Sequence, residues 1–303
     1  MRIGQLRTAV ALCPCRLRCS LFRGRSVSME PYTVALTSCG RFDLLERTLR
    51  SLLPRLDGPV AKIIIAEDSG DRGVYDVVQQ FSDAGPTLEV LFNDPRLGQI
   101  RSIDRLYSHI ETDWIFHCED DWEFFAEGFV GKSFALLKEF DRFSMVALRN
   151  TAEFPSHYYL PEEIASCGIR YREVNVAVAG NHAGLHLNPG LRRMRDYRLV
   201  GPYAAIGMKA AGGKVAKLHR HLGFRVANLV EPAVRHIGDG RHVPNPVYDY
   251  AAIPTDIGHF LRYRLEEIRW FLQPSTDPLR RARRRMEKAG LTDFLQYERR
   301  RFR

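Results

Sequence analysis

Between residues 32 and 121, four short apolar runs alternate with amphipathic segments, and this alternation restricts the fold more than any other feature. The runs are Tyr32–Ser38, Lys62–Ala66, Leu88–Phe92 and the stretch opening at Trp114. They are apolar and β-branched at most positions, the pattern of strands buried on both faces. Between them lie Leu44–Leu53, Val74–Phe81 and Gly98–Ile110. In the first, Leu44, Leu45, Leu49, Leu52 and Leu53 make one helical face, with Asp43 placed to cap it and Pro54 to help end it. In the third, Ile100, Ile103, Leu106, Tyr107 and Ile110 make another. Repeated strand–helix–strand units build a parallel α/β sheet with right-handed crossovers.

Each run ends in polar residues: Thr37–Arg41, Glu67–Gly70, Asn93–Gly98 and Glu119–Asp121. Parallel strands send these four loops to one edge, where open α/β sheets bind ligands. The last loop sets three carboxylates in a row with no basic residue among them. Like charges this close repel unless something positive sits between them, and Mg²⁺ and Mn²⁺ prefer carboxylate oxygen. The competing reading has Asp121 capping a following helix and the other two acids solvated. No P-loop and no Gly-x-Gly-x-x-Gly follows the first strand, which argues against a Walker ATPase or a dinucleotide enzyme.

The second half is less regular. Phe129–Phe140 reads as a helix, and Met145–Arg149 and Asn175–Gly180 as strands, with Gly184–Leu187 pairing nearby. Asn188-Pro189-Gly190 is a turn. Gly201–Leu218 predicts a helix through Ile206, Met208 and Ala210 that Gly212-Gly213 interrupts. Phe224–Leu229 reads as a strand, and Val234–Gly240 as a strand end opening into a glycine loop. Val243–Pro254, rich in Pro and Tyr, looks like a lid or connector, and from Asp256 the chain reads as helical and increasingly basic.

The net charge of +9 suggests a polyanion partner until its distribution is read. Residues 1–29 hold six arginines and no acid, and residues 280–303 hold ten basic and three acidic residues, so the interval 30–279 carries a net −4. The basicity lies in the two ends, without the interleaved aromatics of a nucleic-acid surface. The patch Arg280, Arg281, Arg283, Arg284 and Arg285 reads as a solvated tail or as a peripheral attachment to anionic lipid. No window approaches the roughly 20 apolar residues of a membrane span. The first 28 residues read either as an arginine-rich presequence or as sequence upstream of a true start at Met29. The second is preferred because the ordered pattern begins immediately afterwards. Cys39, Cys118 and Cys167 lie far apart with no zinc-ligand spacing, which favours buried free thiols in a reducing cytosol.

Taken in order, Thr-Ser-Cys-Gly-Arg (37–41), Glu-Asp-Ser-Gly (67–70), Leu-Gly-Gln (97–99), Glu-Asp-Asp (119–121), Leu-Asn-Pro-Gly-Leu (187–191) and His-Ile-Gly (236–238) resemble a GT-A glycosyltransferase of family 2. The Glu-Asp-Asp form is similar to the N-acetylglucosaminyltransferase I type. The resemblance covers roughly residues 31–245. It implies an α/β GT-A domain over 30–255, with a nucleotide-binding half (30–122) and an acceptor half (123–255), followed by a basic helical extension (256–303). It implies transfer of a hexosyl or N-acetylhexosaminyl group, with inversion, from a UDP- or GDP-linked donor to a glycan, lipid or small-molecule acceptor. Thr37, Ser38 and Arg41 would contact the nucleotide, Asp68 the base or ribose, and Asp120 the ribose. Glu119 belongs to the same motif, and Asp121 and His236 would hold Mn²⁺ or Mg²⁺. Gly98, Arg101 and Arg241 would serve the phosphates. The sequence departs from the pattern at the catalytic base. Gly201–Gly207 carries Tyr203 where an acid is expected, and the nearest alternatives are Asp196 and Asp239. A nucleotidyltransferase acting on a sugar phosphate and a catalytically inactive nucleotide-sugar-binding protein are the alternatives. The cytoplasm, at the inner membrane surface if the basic end binds lipid, is the expected location.

Overall fold

The computed structural model describes residues 28–83, 85–206, 211–241, 243, 278–291 and 294. The first half follows the alternation. β1 (Tyr32–Ser38), α1 (Phe42–Leu52), β2 (Val60–Glu67), α2 (Val74–Gln79), β3 (Leu88–Phe92), α3 (Gln99–Ser108) and β4 (Trp114–Glu119) succeed one another. β3, β2, β1 and β4 are neighbours in that order and pair in parallel. The sheet then continues through β9 (Gly190–Arg193), β6 (Phe143–Ala147), β10 (Arg225–Leu229), β8 (Arg170–Glu173) and β7 (Glu163–Ile164). β9 is antiparallel to both β4 and β6, whereas β10 is parallel to β6. Across nine strands only β9 and β8 run against the rest. The expected α/β architecture with a mostly parallel sheet is therefore present.

Side chains alternate across the strands and build two cores. Val34, Leu36, Phe116 and Leu191 face α1 and α4 (Phe129–Glu139), where Leu45, Leu49 and Phe134 meet them. Ala35, Ile64, Ile115 and Met145 face α3, α6 (Met194–Val200) and α7 (Ala211–His221). β5 (Trp122–Phe124) and β11 (Val234–His236) pair antiparallel beside the main sheet. A last helix, α8 (Pro278–Lys288), packs its Leu279, Ala282 and Met286 into the second core.

Several local expectations change. Asp43 is not a cap: α1 begins at Phe42, two residues earlier than expected, and the Asp43 carboxylate sits in its first turn and pairs with Arg241. Asp121 precedes β5 rather than a helix. Asn175–Gly180 is not a strand but a short helix, α5 (Val176–Ala179), because the Asn175 side chain accepts a hydrogen bond from Ala177 N and caps it. Gly184–Leu187 is a loop, and the strand in this region starts at Gly190. A Cβ at Gly190 would stand 2.3 Å from the Val146 carbonyl oxygen, so glycine permits the close strand approach. Gly212-Gly213 does not interrupt the helix, which runs from Ala211 to His221. β7 and β8 are short strands that the apolar pattern does not announce. Of the three cysteines only Cys118 is buried; Cys39 is half-buried and Cys167 exposed. Met208, Ala210, most of the Val243–Pro254 connector and the segment 256–277 lie outside the described residues.

Candidate active site

The chain leaves β1 toward β2 and β3 on one side and returns to pair β4 on the other, so the strand order switches between β1 and β4. At such a switch the two following loops diverge and leave a crevice. The β1 loop brings Arg41 and the β4 loop brings Glu119, Asp120 and Asp121 into it. The Arg41 guanidinium bridges the two aspartates: Nη2 donates to Asp120 Oδ1, and Nη1 lies 2.9 Å from Asp121 Oδ2. His236, at the end of β11, places Nε2 3.3 Å from the same Asp121 oxygen, and its Nδ1 stands 2.8 Å from Asp239 Oδ1. The backbone just after β11 approaches so closely that a Cβ at Gly238 would lie 2.7 Å from Asp121 Oδ2. Arg241 closes the cluster by donating to Asp43 in α1 and accepting from Arg41 through its carbonyl.

The acids repel as expected and are held by burial and partial neutralisation. Burial pushes Glu119 up to about 7, and the charge of Asp121 adds to this. Burial likewise lifts Asp120 to about 6, with Arg41 opposing and Asp121 reinforcing the shift. Gln99 Nε2 donates to Glu119 Oε1 at 2.7 Å. Thr48 in α1 supports the turn, donating to the Asp120 carbonyl at 2.8 Å and accepting from Trp122 N at 3.2 Å. The Trp122 ring lies 5.0 Å from the His236 ring, a wall behind the imidazole.

One strand over, Asp68 is 4% exposed and accepts from Leu97 N, Gly98 N and Asn93 Nδ2 at 2.7, 2.8 and 2.9 Å. It thereby shapes the loop that opens α3, with Gly98 at positive φ as its N-cap. Glu67, the first residue of the Glu-Asp-Ser-Gly motif, to which the sequence assigned no role, accepts from Gly40 N and Ser69 N through Oε1. Its Oε2, like Ser38 Oγ and Asp121 Oδ1, is buried with no hydrogen-bond partner among the described residues. Thr37 is buried at the end of β1, and Arg101 is exposed in the first turn of α3. Arg41, Asp68, Asp120, Asp121, His236 and Asp239 thus share the carboxyl edge of the sheet.

Asp196 does not. β9 runs antiparallel to β4 and ends with Arg193 opposite Trp114, so the helix that follows lies at the other edge. There Asp196 is buried between Arg193 and Arg195, at 3.2 and 2.9 Å, and is removed from consideration as the base. Tyr203, where an acid was expected, is buried in a 3-10 turn, its N–H donating to Asp104. Thr48 and Trp122 carried no motif signal, and Glu67 and Gln99 stood in the Glu-Asp-Ser-Gly and Leu-Gly-Gln motifs without a role of their own.

The side chains fit a divalent cation. Two ligands with bonds of about 2.1 Å at a right angle stand about 3 Å apart, close to the 3.3 Å between Asp121 Oδ2 and His236 Nε2. Asp239 on Nδ1 supplies the support a ligating imidazole normally receives. Among the described residues no three His, Cys, Asp or Glu side chains are grouped to hold an ion, and the Arg41 guanidinium takes the same Asp121 oxygen.

An acidic mouth at the β1–β4 switch of a mixed α/β sheet is the arrangement of GT-A glycosyltransferases, and solved structures bear out the fold. The chain is similar to TarS 1–349 of S. aureus in complex with UDP, with a TM-score of 0.50 and 12% identity over 68% of this chain. It spans 59% of that TarS chain. It is also similar to the mannosyltransferase PcManGT of Pyrobaculum calidifontis in complex with GDP-Man and Mn²⁺ (TM-score 0.51, 12% identity, 88% of this chain and 73% of that one). GalNAc-T7 with UDP, GalNAc and Mn²⁺ is a third such structure (TM-score 0.52, 11% identity, 70% and 44%). The sequence itself matches the profile of glycosyl transferase family 2 over residues 33–193, and the chain belongs to that family. No curated protein matches it. The likeness of Glu119-Asp120-Asp121 to the N-acetylglucosaminyltransferase I type remains a resemblance of sequence.

Proposed function

We propose that the protein transfers a hexosyl or N-acetylhexosaminyl group from a UDP- or GDP-linked donor to an acceptor hydroxyl on a glycan, lipid or small molecule. The observation that supports this best is the Arg41–Asp120–Asp121–His236 cluster at the strand switch of a family 2 chain. Asp121 and His236 hold Mn²⁺ or Mg²⁺, which when bound neutralises the leaving diphosphate as a Lewis acid. Arg41 swings its charge between the carboxylates and the phosphates, with Arg241 beside it and Arg101 at the start of α3. Thr37, Ser38, Asp68 and Asp120 receive the nucleoside. The unpartnered Ser38 Oγ and Glu67 Oε2 support a polar ligand arriving there. Gly98 sets the backbone that opens α3 toward it. Of the two acids considered as base only Asp239 stands at the mouth, and inversion assigns it the acceptor proton.

Purified protein with Mn²⁺ and a panel of nucleotide-diphosphate sugars should release nucleoside diphosphate, and Asp121→Ala should lower that rate by at least about a hundredfold. Equal behaviour of the two proteins across every donor sinks the reading. Pyrophosphate release from a nucleoside triphosphate and a sugar phosphate would identify a nucleotidyltransferase, and donor binding without turnover a binding protein. Asp239→Asn separates two roles. Loss of turnover with unchanged Mn²⁺ affinity marks a base, whereas a roughly 10- to 100-fold loss of Mn²⁺ affinity marks a support for His236.

A further inference from the structure

We propose that the amino edge of the sheet, the side away from the mouth, is an electrostatic docking face for an anionic lipid bilayer. The central element is α8. Its Leu279, Ala282 and Met286 are buried, while Arg280, Arg281, Arg283, Arg284, Arg285 and Lys288 are exposed with Glu287 as the lone acid. Arg281, Arg283 and Arg284 form no ion pair among the described residues. The apolar stripe is already occupied by α6 and α7, so the helix has no greasy face left to insert. It offers charge alone.

Its location follows from the sheet. α6 succeeds β9, which ends opposite the first residue of β4, and Arg285 Nη1 donates to the Leu199 carbonyl of α6 at 3.1 Å. The Phe294 ring packs 5.4 Å from that of Phe224, which leads into β10 at its amino end. α8 and Phe294 therefore both lie at this edge.

So do the first described residues. Trp114, the first residue of β4, donates its indole N–H to Glu30 at 3.0 Å, and Lys138 donates to the Ser28 carbonyl at 2.7 Å. Glu30, Asp113 and Arg285 line one open cleft of about 610 Å³ together with Arg193, Arg195 and Arg198, of which Arg198 pairs with Asp113 and the other two with Asp196. The first described residues and α8 thus share one side of the molecule. Clusters of 4–8 basic residues on a helix suit the headgroups of acidic lipids, at about one factor of five in binding per residue. The exposed face of α8 has no aromatic side chain on which a base would stack. Docked this way, the mouth points into solution.

Co-sedimentation with phosphatidylcholine vesicles, with and without phosphatidylglycerol, at low and high salt tests this with the full chain. The protein should pellet only with the anionic vesicles and be released by salt. The triple variant Arg281→Ser, Arg283→Ser, Arg284→Ser should lose on the order of a hundredfold in partitioning, with an unchanged thermal unfolding midpoint. The corresponding triple lysine variant should bind as wild type does. Equal pelleting with neutral vesicles, no pelleting with either, or a preference for a single-stranded RNA oligonucleotide over the anionic vesicles overturns the proposal.

Discussion

Glu119 is a carboxylate whose environment opposes its charge, and this has a measurable consequence. Desolvation and the neighbouring charge of Asp121 push it up to about 7 from a reference value of 4.5. Between those values the folded state holds more protons than the unfolded one, so stability is fully present below the lower value and is lost as pH rises through the upper. Half-buried His186 and buried His219 act oppositely: desolvation pushes them down to about 3 and about 4, so they destabilise the fold as pH falls below their reference of 6.5. The wild-type profile mixes both trends, and a difference isolates one. The melting temperature of Glu119→Gln minus that of wild type should grow more positive from pH 5 to pH 8, and Mn²⁺ should narrow the gap at the higher pH. A difference that stays constant with pH would contradict the assignment. The three acids themselves were legible in the sequence because they are contiguous. Thr48 was not, because it acts on residues more than 70 positions away, and the contact of Glu67 with Gly40 was hidden for the same reason.

At the scale of elements, the join between α3 and the acceptor half rests on Asp104. Its Oδ1 accepts from Tyr197 Oη at 2.9 Å and Tyr203 N at 2.8 Å, and its Oδ2 from Ala204 N at 2.8 Å. One carboxylate thus ties α6 and the turn Tyr203–Ile206 to a helix of the nucleotide half. Asp104→Ala should cost about 2 kcal/mol in urea unfolding, since three hydrogen bonds to a charged, partly exposed acceptor are lost. Asp104→Asn should recover part of it. An Asp104→Ala protein as stable as wild type would show the join to be incidental. Elements with strong periodicity, such as β1, β2, α3 and α4, were readable locally. α5 and β9 were not: four apolar residues after Asn175 suit strand or helix equally, and Arg192 and Arg193 give β9 no apolar signature although both are buried. Arg192 is paid for by neighbours, with Nη2 donating to the His186 carbonyl at 2.7 Å and Nη1 to Tyr107 Oη at 3.3 Å.

For the molecule as a whole, the division at residue 122 does not divide the sheet. β4 from the first half pairs with β9 from the second, and β5 pairs with β11. A fragment of residues 30–122 would expose the β4 edge and half of each core, so it should show no cooperative unfolding transition, whereas the full chain should show one. A sharp transition in the fragment would mean that the two halves fold independently. The linear sequence determined the parallel strand–helix order, the four polar loops and the acidic triplet, because each depends on residues within a few positions of one another. Tertiary structure alone decided that Arg41 bridges Asp120 across 79 positions, that Arg241 reaches Asp43 across 198, and that Asp196 falls on the wrong edge. Those outcomes turn on the direction of β9 and the approach of β11, and pairing between distant strands is set by how the whole chain buries its apolar faces, which no local pattern encodes.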